Sequence, residues 1–116
     1  MEDKTLTMTM LLDFYGELLT EKQRSCFEMY YNEDLSLSEI AELQGISRQG
    51  VRDSLVRTES SLRETEEKIG MVAKYIQRRT VLAELEHTLD ALIAATDGRS
   101  QELAEHVLQR LQDLES

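Results

Sequence analysis

No proline occurs anywhere in the 116 residues, and only five glycines do. Strands joined by frequent turns depend on those two residue types, so an all-β or mixed fold has little to be built from. Helix needs few turns, and an all-α fold is expected along the whole chain. A chain of this length can bury a core without metals or disulfides. Residues 1–116 are therefore expected to form a single all-helical domain, with a helix-turn-helix part in 1–58 and a long helix and C-terminal hairpin in 59–116.

Hydrophobic spacing divides that helix into pieces. Met8, Leu11, Leu12, Tyr15 and Leu18 or Leu19 recur at the three- and four-residue intervals of one helix face, which predicts a first helix from about Thr5 to Glu17. Thr20-Glu21-Lys22-Gln23 reads as a capping box ahead of a second helix that carries Cys26, Phe27 and Tyr30 inward and ends near Tyr31. Tyr30 and Tyr31 are expected at its core and rim. After the break at Asn32-Glu33-Asp34, Ser36-Leu37-Ser38-Glu39 supplies another capping box, and Gly45 is expected to end the short helix in a left-handed conformation. Ser47 caps the next helix. Leu55, Leu62, Ile69 and Ile76 then recur every seven residues, with Val51, Thr58, Thr65 and Val72 between them, and predict one long helix from Ser47 to about Arg79. Such a helix would span roughly 50 Å, with Gly70 its one candidate kink. The apolar register then shifts to Leu82, Leu85, Leu89, Leu92 and Ile93, Asp97-Gly98 marks a turn, and Leu103, Val107, Leu111 and Leu114 complete a helical hairpin.

The stretch from Leu37 to Leu55 reads as two helices joined by a tight turn. Ala41 is small where the second helix crosses the first, and Gly45 makes the turn. Ile40, Leu43, Ile46, Val51 and Leu55 are expected to fill the space beneath the crossing. With Val51 and Leu55 inward, a rotation of 100° per residue turns Gln49, Asp53, Val56 and Arg57 outward, Arg52 beside them and Arg48 at the first turn. Arg pairs guanine, Gln pairs adenine, and a capped helix N-terminus suits a phosphate. Ser47, Arg48, Gln49, Arg52 and Arg57 are the expected nucleic-acid-binding residues. Asp53 opposes phosphate in the middle of the same face.

The charge distribution bears on the partner. Net charge is −10, yet residues 47–79 hold 8 bases against 5 acids, residues 1–46 hold 10 acids against 3 bases, and residues 80–116 hold 8 acids against 2 bases. A basic middle lies between acidic flanks, which favours a local contact over broad approach to a polyanion.

Other chemistries lack their parts. Cys26 lies among apolar neighbours with no basic cluster beside it, which fits a small buried thiol and a reducing compartment. His87 and His106 stand on the two arms of the hairpin with no third His or Cys to complete a zinc set. The glycines are scattered singly, so no phosphate loop forms. The expectation is a protein that is not an enzyme, with no catalytic residue, no metal and no cofactor. No apolar run approaches the roughly 18 residues of a membrane span and the N-terminus has no signal-peptide pattern, so a cytoplasmic location without membrane insertion is expected.

The chain resembles the YlxM family of Firmicutes proteins. Met10-Leu11-Leu12-Asp13-Phe14-Tyr15-Gly16 and Leu19-Thr20-Glu21-Lys22-Gln23 match its N-terminal signature, and Asp34 to Ala41 with Ile46 to Asp53 match its helix-turn-helix. The resemblance is specific from about Met8 to Ile76. It implies a fold similar to region four of sigma factors, in which Arg48, Gln49 and Arg52 correspond to the groove-facing start of the recognition helix. Gly50 departs from the longer polar side chain usual in sigma factors. The resemblance also implies a gene beside those of the signal recognition particle GTPase and its receptor. The expected function is an accessory or regulatory factor of that membrane-targeting pathway, binding signal recognition particle RNA or the particle's proteins. The alternatives are a DNA-binding transcriptional regulator and an acidic interaction scaffold that touches no nucleic acid. Because Leu55, Leu62, Ile69 and Ile76 form a longer seam than the N-terminal helices are expected to cover, a homodimer is expected, through the long helix or the hairpin.

Overall fold

The computed structural model describes residues 3–115, and among them the chain is helix and short connection without a strand. The helices are α1 Lys4–Tyr15, α2 Glu21–Tyr31, α3 Leu37–Gln44, α4 Arg48–Ile69, α5 Met71–Ala95 and α6 Gly98–Glu115. Two compact units divide the chain, one up to Ala73 and one from Lys74 onward. The expected division near residue 58 falls inside α4.

Capping residues set the helix starts in the first unit. The Asp3 carboxylate accepts from the Thr5 and Leu6 amides at 3.0 and 3.3 Å. Thr20 Oγ1 accepts from Gln23 N while Gln23 Oε1 accepts from Thr20 N, both at 3.2 Å, and Ser36 and Glu39 repeat the exchange at 3.1 and 3.0 Å. Both expected capping boxes are present. Helix α1 stops at Tyr15 rather than Glu17, because a 3₁₀ turn over Gly16–Leu18 redirects the chain, turning Leu19 onto the core and leaving Leu18 exposed.

Two apolar clusters fill this unit. Met8, Leu11, Leu12 and Tyr15 of α1 meet Phe27, Leu62 and Val72. Cys26, Ile40, Ala41 and Val51 form the second, beneath the crossing of α3 and α4, and Leu55 packs against both. Each fully buried large side chain contributes about 1.5–3 kcal/mol by leaving water. Burial raises the pKa of the Cys26 thiol, as expected of a packing residue. Two residues expected inward are not there: Leu43 is 66% exposed and Tyr30 37%. On the short α3 the inward face is set by Leu37, Ile40, Ala41 and Gln44, and Leu43 lies a quarter turn away.

The long helix expected from Ser47 to about Arg79 is two helices. Gly70 takes the left-handed conformation (φ 71°, ψ 22°), its N–H bonds to Glu66 O, and α4 ends at Ile69. The Glu66 carboxylate then caps the next helix, accepting from Val72 N and Ala73 N at 3.0 Å each. Tyr15 Oη donates to Glu66 Oε1 at 2.6 Å and accepts from Met71 N at 3.1 Å. A phenol on α1 thereby fixes the corner 51 residues away. Burial raises the Glu66 pKa, but the bonds from Tyr15, Val72 and Ala73 outweigh it and the carboxyl titrates below its ordinary value. This corner also corrects the heptad seam. Leu62 is 1% exposed inside the core and so is not open to a second chain, Leu55 is half-buried against both clusters, and Ile69 and Ile76, each 49% exposed, lie on opposite sides of the break in the sequence.

In the second unit α5 and α6 are joined through Thr96 and Asp97, and Gln101 Nε2 donates to Ile93 O and Thr96 O at 3.1 Å. Leu82, Glu86, Leu89, Ile93 and Thr96 are half-buried on α5, and Gln101, Ala104, Leu108 and Leu111 are shielded on α6. These positions alternate by four and three, the spacing of a hairpin seam. Glu86 interrupts it with a carboxyl. One of its oxygens is shut off from water with no donor, and burial, then the facing Glu115 and nearby Asp90, raise its pKa against the opposing pull of Arg79.

Candidate nucleic-acid interface

Gly45 has φ 67°, a conformation that reverses the chain after α3 at little cost only for a residue without Cβ. Two residues later Ser47 stands in extended conformation, and its Oγ accepts from Gly50 N at 2.9 Å to start α4. This cap is worth about 1 kcal/mol. It also explains Gly50. A Cβ there would stand 3.2 Å from Ser47 Oγ and 3.6 Å from Ile46 Cδ1, so a side chain would press against the cap and the residue behind it.

From that start the helix turns its polar residues outward. Arg48, Gln49, Arg52, Asp53 and Arg57 are all exposed, and Ser47 is exposed with its hydroxyl committed to the cap. Arg48, Gln49 and Arg52 gather round Leu37 at a shallow recess between α3 and α4. Arg57 lies further along α4, apart from that group. Gln49 Nε2 donates to Asp53 Oδ1 at 2.9 Å, which places the acid and the amide as one polar pair. An exposed pair four residues apart on a helix contributes about 0.2–0.5 kcal/mol, small enough for a ligand to displace. The arrangement presents two guanidinium groups, one amide and one carboxylate on an open surface.

A second feature has no counterpart in the expectations from sequence. Beside α4 runs a groove of about 240 Å³ whose walls include Lys4 of α1, Tyr30 and Tyr31 of α2, Leu37 of α3, and Arg52, Leu55 and Val56 of α4. Tyr31 meets Phe27 at a tilt with ring centres 4.6 Å apart and meets Tyr30 edge to face at 4.9 Å, so Tyr31 is anchored beside the core while Tyr30, expected to point inward, is exposed and forms the rim. Lys4 binds Glu59 at 3.1 Å, and Arg63 binds the same carboxylate at 3.2 Å. Burial raises the Glu59 pKa, but these two cations overcome it and hold the carboxyl below its ordinary value. The adjacent tyrosines are visible in the sequence, whereas Lys4 reaches the groove from another helix and leaves no local pattern.

His87 and His106 are exposed on α5 and α6. Among the described residues no three His, Cys, Asp or Glu side chains converge as a metal set, and no helix is long and apolar enough to cross a membrane.

The profile of the UPF0122 family, described as YlxM/p13-like helix-turn-helix proteins, matches residues 2–106. A UPF0122 protein from a Thermoanaerobacter species is 61% identical over 75 residues, covering 65% of this chain and 64% of that relative. The chain thus matches just under two thirds of that relative's length. A UPF0122 protein of Halalkalibacterium halodurans is 50% identical over 90 residues, 78% of this chain and 83% of the relative. One from Desulforamulus reducens is 42% identical over 111 residues, 92% and 95% of the two chains.

Proposed function

The chain belongs to the YlxM/p13-like helix-turn-helix family, and from that premise we propose that it is a non-enzymatic nucleic-acid-binding factor acting through the first turns of α4. The observation that carries this reading is the grouping of Arg48, Gln49 and Arg52 on an open surface, immediately after a capped helix start. Arg57 extends the cationic edge. The same reading gives no role to the histidines or to Cys26.

Charge geometry favours a compact, structured RNA over long duplex DNA. Asp53 sits in the middle of the face, and the sequence on either side of residues 47–79 is strongly acidic, so a rod of phosphates passing the recognition helix is repelled on approach. A folded RNA can touch the arginines locally. Together with the family resemblance, this supports a role as an accessory or regulatory factor of signal recognition particle targeting, through the particle's RNA or protein. It is a cytoplasmic role.

Replacing Arg48, Arg52 and Arg57 together with Ala tests the site. Each phosphate that is no longer neutralised reduces the slope of log affinity against log salt by about 0.9 on duplex and about 0.7 on single strands. Near-complete loss of binding and a flatter slope are expected, and unchanged affinity with an unchanged slope refutes the site. Competition of labelled particle RNA, with and without its protein, against excess genomic fragments tests the target. Nanomolar recovery of one DNA sequence, without association with the particle, would make a transcriptional regulator the correct reading.

A further inference from the structure

The hairpin of α5 and α6 leaves a second apolar stripe outside its seam. Val81, Leu85 and Leu92 on α5 are 46%, 45% and 46% exposed, and Leu103, Val107 and Leu114 on α6 are 50%, 46% and 73% exposed. Their spacing by four and seven residues keeps each set on one face of its helix. Leu85 and Leu92 each immediately precede a seam position, Glu86 and Ile93, and Leu103 and Val107 immediately precede Ala104 and Leu108. In two antiparallel helices that pack along a seam, the positions one residue before the seam lie on the same side of the pair. The two stripes therefore form one continuous aliphatic face. Its interruptions are mild, being Thr88 on α5 and Arg110 on α6, whose guanidinium is drawn 3.5 Å from Asp113. The acids Glu84, Asp90, Glu102 and Glu105 fall outside both stripes.

We propose that a second copy of this chain covers this face, the two hairpins packing as a four-helix bundle. The area matches that occupant. Six large aliphatic side chains left about half exposed amount to roughly 500 Å² of apolar surface, the size of the single largest patch on a typical monomer, which often marks a contact surface. A stable dimer buries about 800 Å² on each partner, of which about two thirds is apolar in homodimers, so the patch supplies the apolar part of such an interface. Heptad spacing on both helices also lets an identical face interdigitate with itself. The assembly carries two helix-turn-helix units per particle, and it leaves Leu62 inside its own core.

Sedimentation equilibrium of the full chain from low to high micromolar concentration tests the proposal. A particle of twice the monomer mass is expected. Leu85→Glu with Val107→Glu should weaken self-association by about 100-fold, because each carboxylate would be buried unpaired, with the helical circular dichroism retained. If that pair unfolds the hairpin, Leu85→Ser with Val107→Ser provides the milder test, expected to shift the equilibrium toward monomer in the same direction. Ile69→Glu, on the first unit, should leave the dimer intact. A wild-type chain that stays monomeric throughout the range overturns the proposal, as does a folded Glu or Ser double variant that associates as tightly as the parent.

Discussion

The two units use their apolar residues in opposite ways. Up to Ala73, the large side chains converge from four helices and several lose all contact with solvent, Met8, Phe27, Ile40 and Val51 among them. Among the described residues from Lys74 onward, Ala104 alone is buried as deeply as the first unit's core, and the leucines of the hairpin stand half in water. The contrast comes from arrangement, since both parts are helical and rich in aliphatic residues. Helices that cross can enclose a side chain from several directions, whereas two helices side by side shield only one stripe of each. Stability of the first unit is thus intrinsic, and the second unit has apolar surface to spare.

The largest expected effect breaks the enclosed side of this contrast. Phe27→Ala empties a fully buried site in the first cluster and should cost about 3–5 kcal/mol in chemical denaturation. The loss should appear in probes of the first unit.

A pH titration separates the units by sign. Glu66 titrates below its ordinary value of 4.5 when folded, so its contribution is complete above that value and is lost as pH falls through the folded pKa. Glu86 titrates above 4.5 when folded, so its carboxylate opposes folding at neutral pH, and protonation relieves that opposition as pH falls toward the folded pKa. Acidification should weaken the first unit's corner while strengthening the hairpin. Residue-resolved hydrogen exchange followed from neutral pH down through and below 4.5, the ordinary value of both carboxyls, reads both. Glu66→Gln should cost about 1–3 kcal/mol and remove the acid sensitivity of the corner, and exchange that slows or quickens equally in both units would contradict the assignment.

Thr58→Val gives a smaller change in the opposite direction. Thr58 is buried with its hydroxyl lacking a partner, so an isosteric methyl should raise stability by about 1 kcal/mol in a melt. Leu43→Ser should change stability least, within about 0.5 kcal/mol, because the side chain is already exposed. A loss of several kcal/mol would return Leu43 to the core where periodicity alone puts it.

Much of this fold is written in local signals. Thr20 with Gln23, Ser36 with Glu39, Gly45 and Ser47 mark helix boundaries because each acts on amides or dihedrals within a few residues of itself. The outward placement of Arg48, Gln49, Arg52 and Arg57 on α4 is legible for the same reason, since rotation about one helix fixes which side chains share a face. The limits appear where distant residues decide. Periodicity runs through Gly70 because the apolar repeat continues, while the corner depends on Tyr15 reaching Glu66 and Met71. Leu62 reads as a partner surface because nothing near it in sequence announces the α1 residues that enclose it. Leu85 and Leu92 read as equivalent to Leu82 and Leu89, although only the second pair lies on the hairpin seam. Lys4 joins the tyrosine groove from the start of the chain, beyond the reach of any short motif.

The Tyr15 corner has a consequence for the order in which the chain takes shape during synthesis. The first cluster joins Met8, Leu11 and Leu12 to Leu62 and Val72, so α1 has its full set of neighbours only once residue 72 has been translated and released from the ribosome. Until then its apolar face is available to whatever waits at the tunnel mouth, and Glu66 lacks the amides of Val72 and Ala73. The capping boxes of α2 and α3 can close as soon as their own turns emerge. The helix-turn-helix crossing can therefore assemble before α1 has its full set of neighbours, although α1 precedes it in the chain.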